Sequence, residues 1–212
     1  MNINLIVAGV GGQGSILASH IIAEAAIQGA SAQSTTGSGD GLNVRVGETF
    51  GAAMRGGAVA SHVRIGDVYG PLVGKGQADM ILALEPLEGL RIGVEYLKSE
   101  GVAILNSDPF LPVDVKIGAA RYPAVAEIAK ALEELGGVVT VIDATRLALE
   151  AGTAKAMNVV MLGAAYASGL FPFGEGIMVE AIRERVPQKF LEVNLKAFAL
   201  GKEAYQAARR RT

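Results

Sequence analysis

The sequence predicts an α/β domain: a Rossmann-like, mostly parallel sheet flanked by helices, with a C-terminal helical layer. Three observations carry the prediction. The apolar run Ile3 to Ala8 passes straight into Gly9-Val10-Gly11-Gly12-Gln13-Gly14 and then into a helical apolar pattern. Strand and helix signals alternate from there to Ile142, as they do when crossover helices join parallel strands. From Asp143 onward only helical periodicity remains.

In order, Ile3 to Ala8 reads as a buried first strand and Ser15 to Ile27 as the first helix, with the glycine turn between them. Ala30 to Thr35 is assigned as the second strand. Thr36 to Gly57 follows as an irregular segment holding seven glycines, at 37, 39, 41, 47, 51, 56 and 57, and a loop of that length inside a compact domain points to function. Ala58 to Ile65 is a strand with Val59, Ser61, Val63 and Ile65 on one face and Ala60, His62 and Arg64 on the other. Asp79 to Leu84 is a further buried strand. Pro86 suits the first position of a helix running to Leu97, since its missing N–H has no intrahelical partner there in any case. Gly101 to Asn106 and Val138 to Ile142 are strands, and between them Pro123 opens a helix closed by Gly136-Gly137. Ala154 to Ala167, Ile177 to Val186 and Phe190 to Ala208 form the helical layer. No repeat or linker divides residues 1–212, so one domain is expected.

Composition excludes several classes. With 212 residues, half of them hydrophobic, the chain can bury a full core. It has no cysteine, which removes an iron–sulfur cluster, a thiol nucleophile, a disulfide framework and any Cys-based zinc site from this chain. A net charge of −2 provides no footprint for nucleic acid, and Arg209-Arg210-Arg211 reads as a solvated helix end. The apolar N-terminus lacks a preceding cationic region and reads as a core strand, not a signal peptide. No apolar stretch reaches the roughly 18 residues of a membrane span. A cytoplasmic protein without membrane contact is expected. High hydrophobicity with only 19% charged residues points to apolar surface reserved for a partner.

The glycine sequence fits G-x-G-x-x-G, which places backbone N–H groups and a helix N-terminus toward an anion. Gly11, Gly12, Gln13 and Gly14 are therefore candidate ligand-binding residues. The acidic residue that should follow the second strand to hold a ribose hydroxyl is missing: Ala30 to Thr35 contains no carboxylate. Arg55-Gly56-Gly57 is a second candidate, an arginine fork beside two glycines. It extends to a possible basic cluster of Arg45, Arg55, His62 and Arg64. Polar residues at strand ends, Glu85, Asn106 and Asp143, have competing readings: Asp143 as a helix cap, Asn106 as part of a turn, and Glu85 as a buried carboxylate met by an arginine or a backbone amide. His20 and His62 read as structural. Gly39-Asp40-Gly41 looks like the start of a thiamine diphosphate site, but no asparagine follows at the required distance, so a turn is the reading. No metal-ligand spacing and no nucleophile–base pair appear, and no catalytic residue is nominated.

Taken in order, the motifs resemble the gamma-type subunit or domain of the 2-oxoacid:ferredoxin oxidoreductases, a group that includes the small subunit of indolepyruvate oxidoreductase. The matching residues are Gly9 to Gly14, Phe50-Gly51, Arg55-Gly56-Gly57 and Ser61-His62-Val63-Arg64-Ile65-Gly66. They continue with Ala78-Asp79, Leu84-Glu85-Pro86, Asn106, Asp143-Ala144 and Asn158 to Gly163. The resemblance implies a single gamma-type domain over 1–212 that works inside a complex oxidising 2-oxoacids to acyl-CoA. It also implies coenzyme A as a ligand here, with thiamine diphosphate and iron–sulfur clusters on larger partner subunits and electrons leaving to ferredoxin. The site residues it suggests are Gly11, Gly12, Gln13, Gly14, Arg55, Gly56, Gly57 and Arg64. Two other readings stay open on the residues alone: a stand-alone NAD(P)-dependent oxidoreductase, and a non-enzymatic sensor of a nucleotide or acyl-CoA.

Overall fold

The structure, a computed structural model, describes residues 2–33, 43–51 and 56–210. Strand β1 (Ile3–Val10) leads through the glycine turn into helix α1 (Ser15–Gln33), and β2 (Asn43–Phe50) and β3 (Ala58–Gly66) follow. Then come β4 (Ala78–Ala83), α2 (Pro86–Tyr96), β5 (Leu97–Asn106), a single turn α3 (Val113–Lys116), α4 (Val125–Glu134) and β6 (Val138–Ile142). The C-terminal part holds α5 (Ala144–Ala151), α6 (Met157–Ala167), α7 (Glu175–Arg185) and α8 (Leu191–Arg209), with 3-10 turns at Ala154–Ala156 and Gln188–Phe190. No helix among the described residues is long and apolar enough to cross a membrane.

The six strands lie in the order β2-β3-β1-β4-β5-β6. Strands β1, β4, β5 and β6 are mutually parallel, while β3 runs antiparallel to both β1 and β2. The sheet is thus mixed, with β3 the single reversed strand. Alternation sorts its side chains to two cores. Ile3, Leu5, Val7, Met80, Leu82 and Ile104 face α1 and the C-terminal helices, whereas Ile6, Ala8, Ile81, Ala83, Ala103 and Leu105 face the layer of α2 and α4 through Ile128 and Leu132.

Two expectations are corrected. Residues 30–33 continue α1, and no strand begins at Ala30. Ala-Ser-Ala-Gln has no β-branched residue and two of the best helix formers, so the helix propagates past Gly29. Gly29 is itself required, because a Cβ there would stand 2.8 Å from that of Phe173. The expected loop from Thr36 to Gly57 contains β2, in which Val44 and Val46 alternate with Arg45 and Gly47. Residues 36–42 and 52–55 of that segment lie outside the described residues. The chain therefore leaves α1 for an antiparallel pair, not a second parallel strand. The helix expected from Pro123 begins at Val125, where Glu127 Oε2 accepts from the Ala124 N–H at 2.8 Å.

The helical layer closes on glycine. Helices α6 and α8 approach so nearly that a Cβ at Gly163 would overlap the Phe198 carbonyl and one at Gly201 the Val160 carbonyl. Both obstacles are backbone and cannot rotate away. Gly201→Ala is expected to lose about 1–3 kcal/mol of stability through overpacking, seen as a melting temperature several degrees lower. Gly176→Ala on α7 has nothing within 4 Å of the added carbon and should hold or raise it.

His62 shows how the segment after β3 is held. It is 1% exposed, and its Nδ1 accepts the Val73 N–H at 3.2 Å, which leaves the proton on Nε2. That nitrogen has no hydrogen-bond partner among the described residues, and the imidazole meets the Tyr96 ring edge-on, 5.4 Å between centroids and nearly perpendicular. Burial lowers the imidazole pKa below its ordinary 6.5. The folded state thus favours neutral His62, and its stabilising contribution is complete above 6.5 and lost as pH falls through the lowered value. Melting temperatures measured from about pH 7.5 down to about pH 5 should fall more steeply for the wild type than for His62→Asn, whose amide oxygen can still accept from Val73.

Candidate functional site

The glycine turn stands at the C-terminal end of β1, in the middle of the sheet. Gln13 closes it: its backbone N–H donates to the Val10 carbonyl at 3.1 Å, its Oε1 accepts from the Val10 N–H at 2.9 Å, and its Nε2 reaches the Leu84 carbonyl at 3.4 Å. Each glycine has its own reason. A Cβ at Gly9 would lie 2.7 Å from Gln13 Oε1 and 3.1 Å from Leu84 Cβ. Gly14, at φ +84°, has Asn158 Nδ2 only 2.6 Å from where a Cβ would stand, and that amide donates to the Gly14 carbonyl at 3.2 Å. Gly12 is different: its φ is +106°, and nothing lies within 4 Å of an added Cβ. The space above Gly12 is open. The N–H groups of Gly12 and Gly14 donate to no acceptor among the described residues. Open space, unpaired donors and the positive end of α1 together make a place suited to an anion.

Of the residues singled out in the sequence, the structure brings two groups together. Gly11 N–H donates to the Gly57 carbonyl at 2.9 Å and Gly56 N–H to the Gly11 carbonyl at 3.3 Å, so Gly56-Gly57 borders the glycine turn. Arg55 lies outside the described residues. Arg64 does not join them. It pairs with Asn4 at the opposite end of β1, six positions from the Val10–Ala58 pair, about 20 Å away at the rise of a strand. There its Nε donates to Asn4 Oδ1 at 2.9 Å and its Nη1 to the Gly70 and Leu72 carbonyls. Arg45 is its cross-strand neighbour. Arg64 and His62 of the expected basic cluster thus meet the loop after β3 and not the turn.

Beyond Val10 a cleft of about 240 Å³ opens, bordered by Gly56, Gly57, Glu85, Glu88, Arg91 and Phe110. Glu85 organises its wall. The residue is 2% exposed, and its Oε2 accepts from the Glu88 N–H at 2.8 Å, capping α2. Its Oε1 accepts from the Tyr122 hydroxyl at 2.5 Å and the Phe110 N–H at 3.3 Å. The Tyr122 oxygen accepts in turn from the Leu87 N–H at 3.1 Å. Burial and the neighbouring carboxylate push the Tyr122 phenol well above its ordinary range. Burial also raises Glu88, against the opposing effect of the Arg91 guanidinium bonded to it and reinforced by the Glu85 charge. Two carboxylates against one guanidinium make this cleft unsuited to a phosphate and suited to neutral polar groups.

The remaining strand-end residues are structural. Asp143 caps α5 by accepting from the Arg146 N–H at 3.0 Å. Asn106 is more than part of a turn: 1% exposed, it donates to the Leu84 carbonyl and Thr145 Oγ1 and accepts from the Ala144 N–H. Sequence reading missed Tyr122, Phe110, Glu88 and Arg91. The Glu88/Arg91 spacing on a helix that follows Leu84-Glu85-Pro86 is a usable signal. Nothing local marks Tyr122, which reaches Glu85 from 37 residues away.

The family model described as pyruvate ferredoxin/flavodoxin oxidoreductase matches residues 4–204. The chain is 42% identical over 203 residues to the indolepyruvate oxidoreductase subunit IorB of Thermococcus kodakarensis, covering 95% of each chain. It is 31% identical to the pyruvate synthase subunit PorC of Methanothermobacter thermautotrophicus, covering 95% of this chain and 94% of that one. Among solved structures it superposes on the keto/oxoacid ferredoxin oxidoreductase gamma subunit of Geobacter sulfurreducens with a TM-score of 0.68 at 29% identity, covering 97% and 99% of the two chains. With its sheet, its glycine turn and nearly its whole length matched, the chain belongs to the pyruvate ferredoxin/flavodoxin oxidoreductase family as one of its gamma-type subunits.

Proposed function

We propose that this subunit is inactive alone and works within a complex that oxidises a 2-oxoacid to an acyl-CoA, where its glycine turn holds a phosphate of coenzyme A. The observation that carries the reading is the open face of Gly12, with two unpaired backbone donors at the start of a 19-residue helix. The phosphate sits above that turn. The neutral arm of the coenzyme runs toward the cleft of Glu85, Tyr122 and Gly57, whose carboxylates repel phosphate but offer polar partners to amides. Arg55 directly precedes Gly56 in the sequence, and this reading makes it the cation that meets the coenzyme. The chain has no cysteine to carry an iron–sulfur cluster, so the clusters belong to larger partner subunits, which also hold the thiamine diphosphate, with ferredoxin taking the electrons. The exposed apolar side chains of Phe110, Leu111, Val113 and Ile117, beside the cleft, suit contact with such a subunit. An NAD(P) enzyme fits less well, because α1 leads to an antiparallel pair and, among the described residues, no parallel second strand presents a ribose-binding acid beside the turn.

Reconstitution with the larger subunits tests this. Dye reduction dependent on a 2-oxoacid and coenzyme A should require both components, and turnover by this chain alone would overturn the subunit reading. In the assembled complex, Gly12→Asp should weaken coenzyme A about tenfold or more relative to the same-sized Gly12→Asn, because only the charge differs. Equal affinities would place the phosphate elsewhere.

The Glu85 hub has its own consequence. Tyr122→Phe removes the donor to Glu85 and the acceptor for Leu87 N–H, at an expected cost of about 1–3 kcal/mol. Hydrogen exchange should show loss of protection at Leu87 and Phe110, with the sheet amides unchanged.

A further inference from the structure

The end of the sheet that carries the glycine turn also leaves large apolar side chains bare. Ile16 in the first turn of α1, Phe50 at the end of β2, and Phe110, Leu111, Val113 and Ile117 after β5 are all exposed. Strand register places them together: Val10 pairs with Ala58 and Phe50 with Val59, while Phe110 borders the cleft beyond Val10. Apolar surface gathered around a ligand site marks an interface.

Four of these side chains come from the stretch 110–117, which projects from the sheet and is held at its two ends by a single carboxylate. Glu85 Oε1 accepts from the Phe110 N–H at 3.3 Å and from the Tyr122 hydroxyl at 2.5 Å. Between those anchors no residue from Leu111 to Arg121 is buried, and Val113 and Ile117 are each 70% exposed. Pro109 and Pro112 fix φ on either side of Phe110-Leu111, so less conformational freedom remains to be lost when this stretch docks.

Charge at the centre of the face selects the occupant. In the cleft beside Phe110, Glu85 and Glu88 stand against Arg91 alone. A second copy of this chain seated here on a twofold axis would bring that excess of carboxylate against itself, whereas a different partner with a basic group at this point would offset it.

We propose that this face, from Ile16 across the glycine turn to Ile117, seats the larger subunit of the complex, which meets it with an apolar surface and a basic side chain opposite Glu88. The inference rests on the reading given above, in which thiamine diphosphate is held by that subunit. Seated there, the partner covers the open space above Gly12 and faces the cleft toward which the neutral arm of the coenzyme runs.

The purified chain and larger subunit are mixed, and assembly is followed by sedimentation velocity and calorimetry. The double substitution Val113→Glu, Ile117→Glu should weaken assembly at least about tenfold, since it sets carboxylates in an apolar contact. Glu88→Gln should weaken it about threefold and reduce its dependence on salt. Tyr69→Glu is the control: Tyr69 is 85% exposed in the loop bonded to Arg64, at the opposite end of the sheet, and this variant should assemble as the wild type does. Hydrogen exchange across 110–122 should slow when the larger subunit is added and not when the chain alone is concentrated. If the double variant fails to fold, the exchange result and Glu88→Gln decide. Wild-type affinity in the double variant or in Glu88→Gln, or equal weakening by Tyr69→Glu, overturns the proposal. So does dimerisation of the chain alone that the double variant abolishes, which would make a second copy the occupant. Should the double variant assemble normally into a complex that still turns over a 2-oxoacid, only the docking face is wrong; should the wild type form no complex at all, the subunit reading falls with it.

Discussion

Strand β1 is bonded along both edges, to β3 on one side and β4 on the other, and nearly all of its residues are buried. A strand so enclosed can end only where its backbone groups find other partners, and that constraint fixes the functional end of the molecule. Val10 is tied back by Gln13, and Gly11 is tied sideways to Gly56 and Gly57. Among the described residues, what remains unpaired is the short arc of Gly12 and Gly14 at the start of α1. The candidate anion site is therefore what is left after the central strand has satisfied its own hydrogen bonds.

The neighbouring strand ends follow the same rule with side chains in place of backbone. The Leu84 carbonyl, at the end of β4, takes donors from both Gln13 and Asn106. Glu85 then turns the chain into α2 and draws in Phe110 and Tyr122. Buried polar groups are costly unless matched, and here each match also brings a distant segment to the rim of the cleft. Helix α6 contributes in the same manner through Asn158, which fixes the Gly14 carbonyl from the opposite face. Packing and site geometry thus share the same few side chains.

Charge divides the region into unlike halves. The turn offers helix-dipole and backbone donors without a carboxylate. The cleft on the other side is lined by Glu85 and Glu88, with Arg91 alone opposing them. A dinucleotide would need a second polar anchor that the antiparallel β2–β3 pair does not provide beside the turn.

The sequence by itself determined the α/β class, the buried β1, the glycine turn, most of the later strands and helices, and the cap at Asp143, because these follow from local periodicity and the stereochemistry of glycine and proline. It also determined that this chain has no cysteine ligands for a cluster. Its errors fell at residues 30–33 and 43–50, where alanine-rich helix and glycine-bearing strand had to be told apart from a segment with no clean period. Only the tertiary structure decided that β3 is reversed, that Arg64 stands about 20 Å from the turn, and that Tyr122, Phe110 and Asn158 meet the ends of β1 and β4. Those relations join residues far apart in the chain through strand order and register, and neither is written in any local stretch of sequence.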